Sequence, residues 1–387
     1  MKSPLYYGKL ACETLMKKYK PENLPPERTL FYHQGVFLYG ILQIFKLTGE
    51  KRYFQYVKDY VDSVIGENGE ITGFVHETIR EDTPDLAKYA LTMLDHKQPS
   101  VLMHTLYDET KEERYLNAIK TLGESLYYWP INRKGGYWHK LTDPNQMWLD
   151  GAYMVGPFSV MYSERFSDPT LKERAIKQIL LMDEYMKDKK SGLYYHGWDE
   201  TKSSIWADKD TGCSAQIWGR ALGWYSVAVL DVLDALDKTQ KNFEALKRIS
   251  RDLLKSLAGF QDDETGMWFE VVDKPKEPDN WIETSASCLF VYSYAKAIRK
   301  GVIRYSDFSE ILNKAYNGVI NSIQFDDNGD IIIDNVCIGT DIEDGTYEHY
   351  ISRERVKNDL HGVGAFILMC AEMVRLRESF QGDLMHC

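Results

Sequence analysis

A loose repeat of about 60 residues is the feature of this sequence that most limits its fold. One half of the repeat is a short polar turn between two segments whose apolar residues recur at helical spacing. Copies of this turn begin at Thr48, Asp108, Ser167, Asp237 and, more weakly, Lys300. The other half is a longer loop that holds a glycine beside aromatic or β-branched residues. Its copies are the segments 71–74, 136–139, 192–196, 266–270 and 329–332. The repeating unit is therefore helix, short turn, helix, long loop.

This unit predicts twelve helices in six hairpins. We expect them near residues 4–19, 31–48, 50–66, 94–107, 111–128, 148–166, 168–187, 214–237, 240–259, 283–300, 304–323 and 359–380. Stacked hairpins form either an open solenoid, which needs polar helices at both ends, or a closed ring. The first helix carries Leu10 and Leu15 and the last carries Phe366 and Ile367, so both have apolar faces to bury. The sequence thus predicts an all-α fold, an (α/α)6 barrel or six-hairpin toroid, with residues 1–387 as one domain.

Composition and charge exclude several classes of partner. A net charge of −11 argues against nucleic acid, and no apolar run is long enough to span a membrane. The opening residues, 1–7, lack the apolar core of a signal peptide. The six cysteines are scattered without a Cys-x-x-Cys pair, which fits reduced thiols and not a disulfide framework or a zinc site. We expect a cytoplasmic protein that needs no metal and no cofactor.

Asp150 lies in an unusual setting for a carboxylate. The stretch from Met147 to Phe158 is apolar and aromatic, and it holds no basic residue. Burial disfavours the charged form of a carboxyl group, so its pKa rises, and a raised pKa is what a general acid needs at neutral pH. The alternative interpretation is structural, with Asp150 as the N-cap of a helix that starts at Gly151.

Polar and aromatic residues recur at the same phase of the repeat, in the long loops and at the helix starts that follow. They are Tyr32, His33, Gln34, Asp95, His96, His139, Asp150, His196, Trp198, Trp218, Arg220 and Trp224. If the long loops emerge at one end of the ring, these side chains gather around one pocket. A guanidinium beside indole rings suits a sugar carboxylate, and aromatics make up 13% of the chain.

Each of these residues also has a structural interpretation. The histidines are compatible with hydrogen-bonding roles in the core, and Trp218 and Trp224 with packing inside the ring. Arg220 is equally compatible with an ion pair to Asp150 that only holds the core, and Asp95 with a helix cap.

Several strings together resemble glycoside hydrolase family 105, the unsaturated rhamnogalacturonyl hydrolases. They are Gly-Gly-Tyr-Trp-His-Lys at 135–140, Gln-Met-Trp-Leu-Asp-Gly-Ala-Tyr-Met at 146–154, Tyr-His-Gly-Trp-Asp at 195–199 and Trp-Gly-Arg-Ala-Leu-Gly-Trp at 218–224. The similarity also includes His-Gln-Gly-Val-Phe at 33–37 and Leu-Asp-His at 94–96, and it extends over most of the chain. The resemblance implies an (α/α)6 barrel. It also implies removal of an unsaturated uronic acid from short lyase products by hydration of the C4=C5 double bond.

The resemblance also implies roles for individual residues. Asp150 matches the general acid/base, and Asp95 matches a second acidic position that contacts sugar hydroxyls and tunes Asp150. The other matched positions belong to the substrate pocket and are Tyr32, His139, Met154, His196, Trp218, Arg220 and Trp224. The implied partner is a small unsaturated oligosaccharide, and we expect a rhamnogalacturonan disaccharide. The alternatives are unsaturated glucuronyl fragments of glycosaminoglycan, ulvan or gum, and a sugar-binding toroid without catalysis.

Overall fold

The computed structural model describes residues 2–26, 29–73 and 92–384, with side chains up to residue 380. Within these residues the chain forms thirteen α-helices. They are α1 Pro4–Lys18, α2 Tyr32–Thr48, α3 Lys51–Val64, α4 Ser100–Thr110, α5 Glu113–Tyr127, α6 Gly151–Phe166, α7 Thr170–Tyr185, α8 Gly219–Asp234, α9 Phe243–Ala258, α10 Thr284–Arg299, α11 Tyr305–Ser322, α12 Tyr347–Ile351 and α13 Leu360–Leu384.

Six of these helices form a closed inner ring. In order around the ring, α2, α4, α6, α8, α10 and α13 each pack against the next, and α13 packs against α2. The helices α1, α3, α5, α7, α9 and α11 pack on the outside of this ring. The predicted all-α (α/α)6 toroid is therefore confirmed.

Inner and outer helices differ in how much of their surface they bury. In α10, every residue from Thr284 to Ile298 is buried, as expected of a helix with neighbours on all sides. In α11 the buried residues are Leu312, Ala315, Tyr316, Val319 and Ile320, which form a single stripe at helical spacing. The repeat pattern found in the sequence is the alternation of these two helix types.

Some helix boundaries differ from the prediction. The helix expected from residue 94 begins at Ser100, because a separate 3-10 turn, Leu94–His96, precedes Pro99 at the N-cap. The helix expected from residue 214 begins at Gly219, and the one expected from residue 148 begins at Gly151 after a short strand. The five-residue helix α12 was not predicted, since it is too short to show a helical period.

The turns and loops of the repeat have distinct structures. Each short turn contains one residue in the left-handed conformation, namely Gly49, Lys111, Ser167, Asn242 and Gly301. The long loops contain short antiparallel pairs: β1 Gln146–Trp148 with β2 Gly197–Asp199, β3 Gln324–Phe325 with β4 Ile331–Ile332, and β5 Val336–Cys337 with β6 Arg355–Val356. The predicted loop copy at 71–74 ends at Phe74, which lies outside the described residues.

The long loops lead into the inner helices, so the starts of these helices meet at one end of the ring. Tyr32 opens α2, Asp150 precedes α6, Trp218 precedes α8 and His361 lies in the first turn of α13. The polar residues that recur in the sequence are thereby brought to one place. No helix in the described ranges is both long and apolar enough to cross a membrane. The described cysteines, Cys12, Cys213, Cys288, Cys337 and Cys370, are free and buried.

Candidate active site

A cavity of about 650 Å³ opens at this end of the ring. The predicted site residues Tyr32, Asp95, His139, Asp150 and Trp218 line it. His196 and Arg220 are fully buried and contact residues of the wall. A volume of this size accommodates a small oligosaccharide.

Asp150 occupies the N-cap position of α6, yet its side chain makes no capping hydrogen bond. The helix-cap interpretation therefore does not explain this carboxyl group. Its Oδ1 atom is buried and has no hydrogen-bond partner among the described residues. Burial raises the pKa of Asp150 to about 6, and the charge of Asp95 acts in the same direction against the opposing charge of His139.

Asp95 forms an ion pair with His139. The Nε2 atom of His139 lies 3.2 Å from Oδ2 of Asp95, and both side chains are buried. Burial alone would raise the pKa of Asp95, but the charge and hydrogen bond of His139 outweigh it and lower the pKa below its usual value. The pKa of His139 is raised, because the two carboxylates outweigh its own burial. The His139 ring stacks on Trp148 at 4.6 Å, which fixes its orientation.

His196 is a second histidine close to Asp150. Its Nε2 atom lies 4.0 Å from Oδ1 of Asp150 and has no hydrogen-bond partner among the residues described. Its Nδ1 atom lies 2.7 Å from the hydroxyl of Tyr350, a residue that the sequence reading missed. Burial, together with the charges of His139 and Arg220, lowers the pKa of His196 well below its usual value. His196 is therefore neutral at neutral pH.

Arg220 is fully buried beneath the cavity. Its Nη1 atom donates to the carbonyl of Cys337 and contacts Nε2 of His361 at 2.5 Å. The guanidinium lies 4.6 Å from the centre of the Trp218 ring. Nε and Nη2 have no partner among the described residues. Among the described residues the close polar contacts of Arg220 are with Cys337 and His361, so the alternative of a structural ion pair to Asp150 is not observed.

Trp218 is held by a buried acid that the sequence reading also missed. Its indole nitrogen donates to Oε1 of Glu270 at 2.8 Å. Burial raises the pKa of Glu270 to about 8, and the nearby Glu283 adds to the effect. Glu270 is thus mostly protonated at neutral pH, and it fixes the edge of a ring that lines the cavity.

Trp224 and Met154 are not among the residues that line the cavity. Trp224 stacks on Tyr153 at 4.5 Å, and Met154 is buried within α6. The reason is helical geometry, since Trp218 lies at the start of α8 whereas Trp224 lies more than one turn inside it. Both side chains are buried and do not line the cavity, and their role in substrate binding stays a prediction.

The segment between β5 and α13 supplies a further part of the cavity wall. It contributes Ile338, Gly339, Thr340, Asp341, Glu343, Arg353 and Asp359. Asp341 lies 2.6 Å from Nζ of Lys140 and so joins this segment to the loop that carries His139. The one available signal was Asp359-Leu360-His361, a polar pair at the start of an apolar helix.

Two clusters near the cavity have the donor atoms of a metal site. They are Asp95 with His139 and Asp150, and His33 with Asp359 and His361. In the second cluster Nδ1 of His361 lies 2.5 Å from Oδ1 of Asp359, which is closer than two ligands of one ion approach each other. In the first, Asp95 and His139 contact each other directly. Both clusters are therefore built from side chains that pair with one another.

Comparison with known proteins agrees with this architecture. The family model described as Glycosyl Hydrolase Family 88 matches residues 7–377. A family 105 glycoside hydrolase from C. acetobutylicum ATCC 824 is 30% identical, with a TM-score of 0.86 over 95% of this chain and 99% of that one. The unsaturated glucuronyl hydrolase of Bacillus sp. GL1 shares the fold at 14% identity, with a TM-score of 0.67 over 94% of this chain and 95% of that one.

Curated relatives also match, with sequence identities below 30%. Protein Atu3128 of Agrobacterium fabrum is 29% identical over 57% of this chain and 98% of its own length. Unsaturated rhamnogalacturonyl hydrolase YesR of Bacillus subtilis is 24% identical over 65% of this chain and 66% of its own length. The family model spans nearly all of the chain, and the 30% identical enzyme is matched over nearly its whole length. This chain therefore belongs to the glycoside hydrolases of families 88 and 105.

Proposed function

We propose that this hydrolase removes a Δ4,5-unsaturated uronic acid from the non-reducing end of short oligosaccharides. The observation that carries the proposal is the pair of carboxyl groups in the cavity wall. Burial raises the pKa of Asp150 to about 6, whereas the contact with His139 lowers the pKa of Asp95. Two acids with separated pKa values provide one proton donor and one anion in the same site.

In the proposed reaction Asp150 gives its proton to C4 of the sugar, and water adds to C5. The Asp150 carboxylate takes a proton from that water, so the acid is regenerated. The product is a hemiketal at C5. Its ring C–O bond then breaks to give a ketone at C5 and a hydroxyl on C1. The hemiacetal at C1 collapses to an aldehyde and releases the leaving sugar as an alcohol.

Arg220 provides the recognition element for the uronate. Its Nε and Nη2 atoms are the two parallel donors of the guanidinium edge, and neither has a partner in the part of the chain described. A carboxylate accepts from such an edge in a bidentate manner. Arg220 lies beneath Trp218 and Gly339, which both line the cavity. The neutral His196 adds no competing charge beside Asp150.

We propose a rhamnogalacturonan disaccharide as the substrate, supported by the likeness to the Bacillus subtilis relative of that name. Elimination destroys the stereocentre at C4, so galacturonate and glucuronate give the same unsaturated sugar. Selectivity must therefore come from the leaving sugar and its linkage. We propose that the segment between β5 and α13, which lines the cavity, contacts the leaving sugar.

The test is to incubate the protein with unsaturated disaccharides and follow the ultraviolet absorbance of the enol ether. We expect the absorbance to fall fastest with a rhamnose-linked substrate, and more slowly with galacturonate-linked or sulfated amino-sugar-linked substrates. The matched control is Asp150→Asn, which keeps the shape of the side chain but removes the acid. It should lower turnover by at least ~100-fold while binding is retained. No consumption of any unsaturated uronide by the wild type would overturn the proposal.

A further inference from the structure

Arg220 is an unusual buried arginine, because one edge of its guanidinium is held by neutral groups. Buried charges are ordinarily paired with an opposite charge. Among the residues described, the Nη1 atom of Arg220 instead contacts the carbonyl oxygen of Cys337 and the Nε2 atom of His361. The Cys337 backbone is itself fixed, since its N–H donates to Oε1 of Glu283 at 2.9 Å.

The contact with Arg220 determines the tautomer of His361. Nε2 of His361 has two close neighbours: Nη1 of Arg220 at 2.5 Å, which only donates, and the carbonyl oxygen of Cys337 at 3.1 Å, which only accepts. The shorter contact is the one to the permanently charged guanidinium, so we assign the lone pair of Nε2 to Nη1. The proton of the neutral ring is therefore on Nδ1. Nδ1 lies 2.5 Å from Oδ1 of Asp359, so a proton on Nδ1 is in close contact with a carboxylate. Burial, together with the charge of Arg220, lowers the pKa of His361, in agreement with a neutral ring.

Asp359, His361 and Arg220 thus form a chain of contacts from the cavity wall to the buried guanidinium. Asp359 lines the cavity and also lies 3.4 Å from Nδ1 of His33. His361 is fully buried, and its position is set by the first turn of α13. A guanidinium held along one edge can present only its other edge to a ligand.

We propose that Asp359 and His361 are positioning residues that orient Arg220, so that its Nε and Nη2 edge donates to the carboxylate of the substrate. This inference rests on the proposed function for the identity of the ligand. It assigns a role to two residues that come from the last helix of the ring, far from Arg220 in sequence. Without them the guanidinium retains its charge but loses its fixed orientation.

Kinetics with two substrates separate positioning from general damage. One substrate is the unsaturated disaccharide as the free acid, and the other is its methyl ester, which has no carboxylate charge. For His361→Leu we expect kcat/KM on the free acid to fall roughly 10-fold or more, chiefly through KM. For the same variant, kcat/KM on the methyl ester should fall by less than about threefold, because the ester makes no bidentate pair with Arg220. Asp359→Asn, on the cavity wall, should lower kcat/KM on the free acid by a smaller factor than His361→Leu. His361→Gln retains an acceptor, so its kcat/KM on the free acid should lie between those of His361→Leu and the wild type.

The chain contains a matched control for these variants. His104 is also a buried histidine that accepts from an arginine, with its Nδ1 atom 3.1 Å from Nε of Arg165, and it does not line the cavity. His104→Leu should leave the ratio of the acid and ester rates unchanged. An unchanged ratio in His361→Leu as well would overturn the proposal.

A second measurement is independent of turnover. The ¹⁵N chemical shifts of the His361 ring distinguish the two tautomers, and we expect the proton on Nδ1 in the unliganded protein. A proton on Nε2, or an imidazolium ring, would overturn the assignment even if no substrate is found. Loss of wild-type activity after treatment with a chelator would overturn it too, because His33, Asp359 and His361 would then hold an ion. An inactive wild type with the expected tautomer would instead remove only the proposed function.

Discussion

The Nε2 atom of His139 lies 3.2 Å from Oδ2 of Asp95, and this contact keeps two neighbouring acids in different protonation states. The ion pair keeps Asp95 charged, and that charge, added to the larger effect of burial, favours the protonated form of Asp150. The arrangement resolves a conflict, because two ionised carboxyl groups that are close together and buried repel each other.

The first prediction concerns the pH dependence of kcat/KM. Asp150 must carry its proton to act as an acid, and its pKa is about 6. The rate should therefore be high below pH 6 and fall as the pH rises through that value. Rates measured between pH 4 and pH 9 provide the check. A rate that increases steadily from pH 5 to pH 8 would contradict the assignment of Asp150 as the donor.

The second prediction concerns stability and pH. The folded-state pKa of Asp150 is about 6, so the folded protein holds a proton that the unfolded chain has already released above about pH 4. The wild type therefore loses stability from this group as the pH rises from about 4 to about 6. Asp150→Asn avoids this loss and should be more stable at pH 7 by roughly 2 kcal/mol, with no difference near pH 4. Urea unfolding at both pH values measures this.

Asp199 provides a control of opposite sign. Burial raises its pKa, but hydrogen bonds from Thr201 and Ser204 outweigh burial and lower it. A lowered pKa contributes stability at neutral pH that is lost as the pH falls. Asp199→Asn should therefore be less stable than the wild type at pH 7, and the difference should shrink in acid. Equal responses of the two variants to pH would contradict the opposite pKa shifts of Asp150 and Asp199.

The third prediction concerns Gly339 in the cavity wall. Its φ of +139° is one that residues with a side chain rarely adopt, and an added Cβ would lie 3.2 Å from Nη2 of Arg220. Gly339→Ala should lower the free energy of unfolding by about 1–3 kcal/mol and raise KM for the free acid. Gly301→Ala is the control, because φ is +67° there and no heavy atom lies within 4 Å of the added carbon. It should lose stability without a change in KM, and a change of equal size in KM would contradict the role of Gly339.

The fourth prediction concerns a buried lysine near the cavity. Burial lowers the pKa of Lys97 to about 7, and its ammonium contacts the Ser125 hydroxyl at 2.7 Å and the Trp129 ring at 4.8 Å. The unfolded chain binds this proton more tightly, so the wild type should gain stability as the pH rises from about 7 to about 10. Lys97→Met should lack this gain and should be more stable than the wild type near pH 6. If the free energies of unfolding of the wild type and of Lys97→Met change in parallel with pH, the low pKa of Lys97 is contradicted.

The sequence predicted the ring because its signals are local. Apolar residues at helical spacing locate α11, and the short polar turns divide the chain into hairpins. Asp150 could also be singled out from the sequence, because its apolar neighbours are adjacent to it in the chain. Positions where the structure differs, such as the start of α4 at Ser100, follow from turns that carry no helical period.

The contact partners of the predicted residues could not be predicted from the sequence in the same way. Tyr350, Glu270 and His361 are buried polar residues whose roles depend on contacts across the ring with His196, Trp218 and Arg220. Neither composition nor spacing links such pairs, since each member lies on a different repeat. Trp224 shows the reverse case, because its string matched a pocket motif while its side chain packs on Tyr153.

The packing of α13 against α2 joins the two ends of the ring, and it has a consequence for how occupancy and folding are linked. His361 belongs to the helix that completes the ring, so its contact with Arg220 exists only in molecules whose ring is closed. A uronate bound by Arg220 would therefore stabilise the closed ring as a whole. Saturating product or substrate analogue should therefore raise the melting temperature of the entire molecule in a single cooperative step.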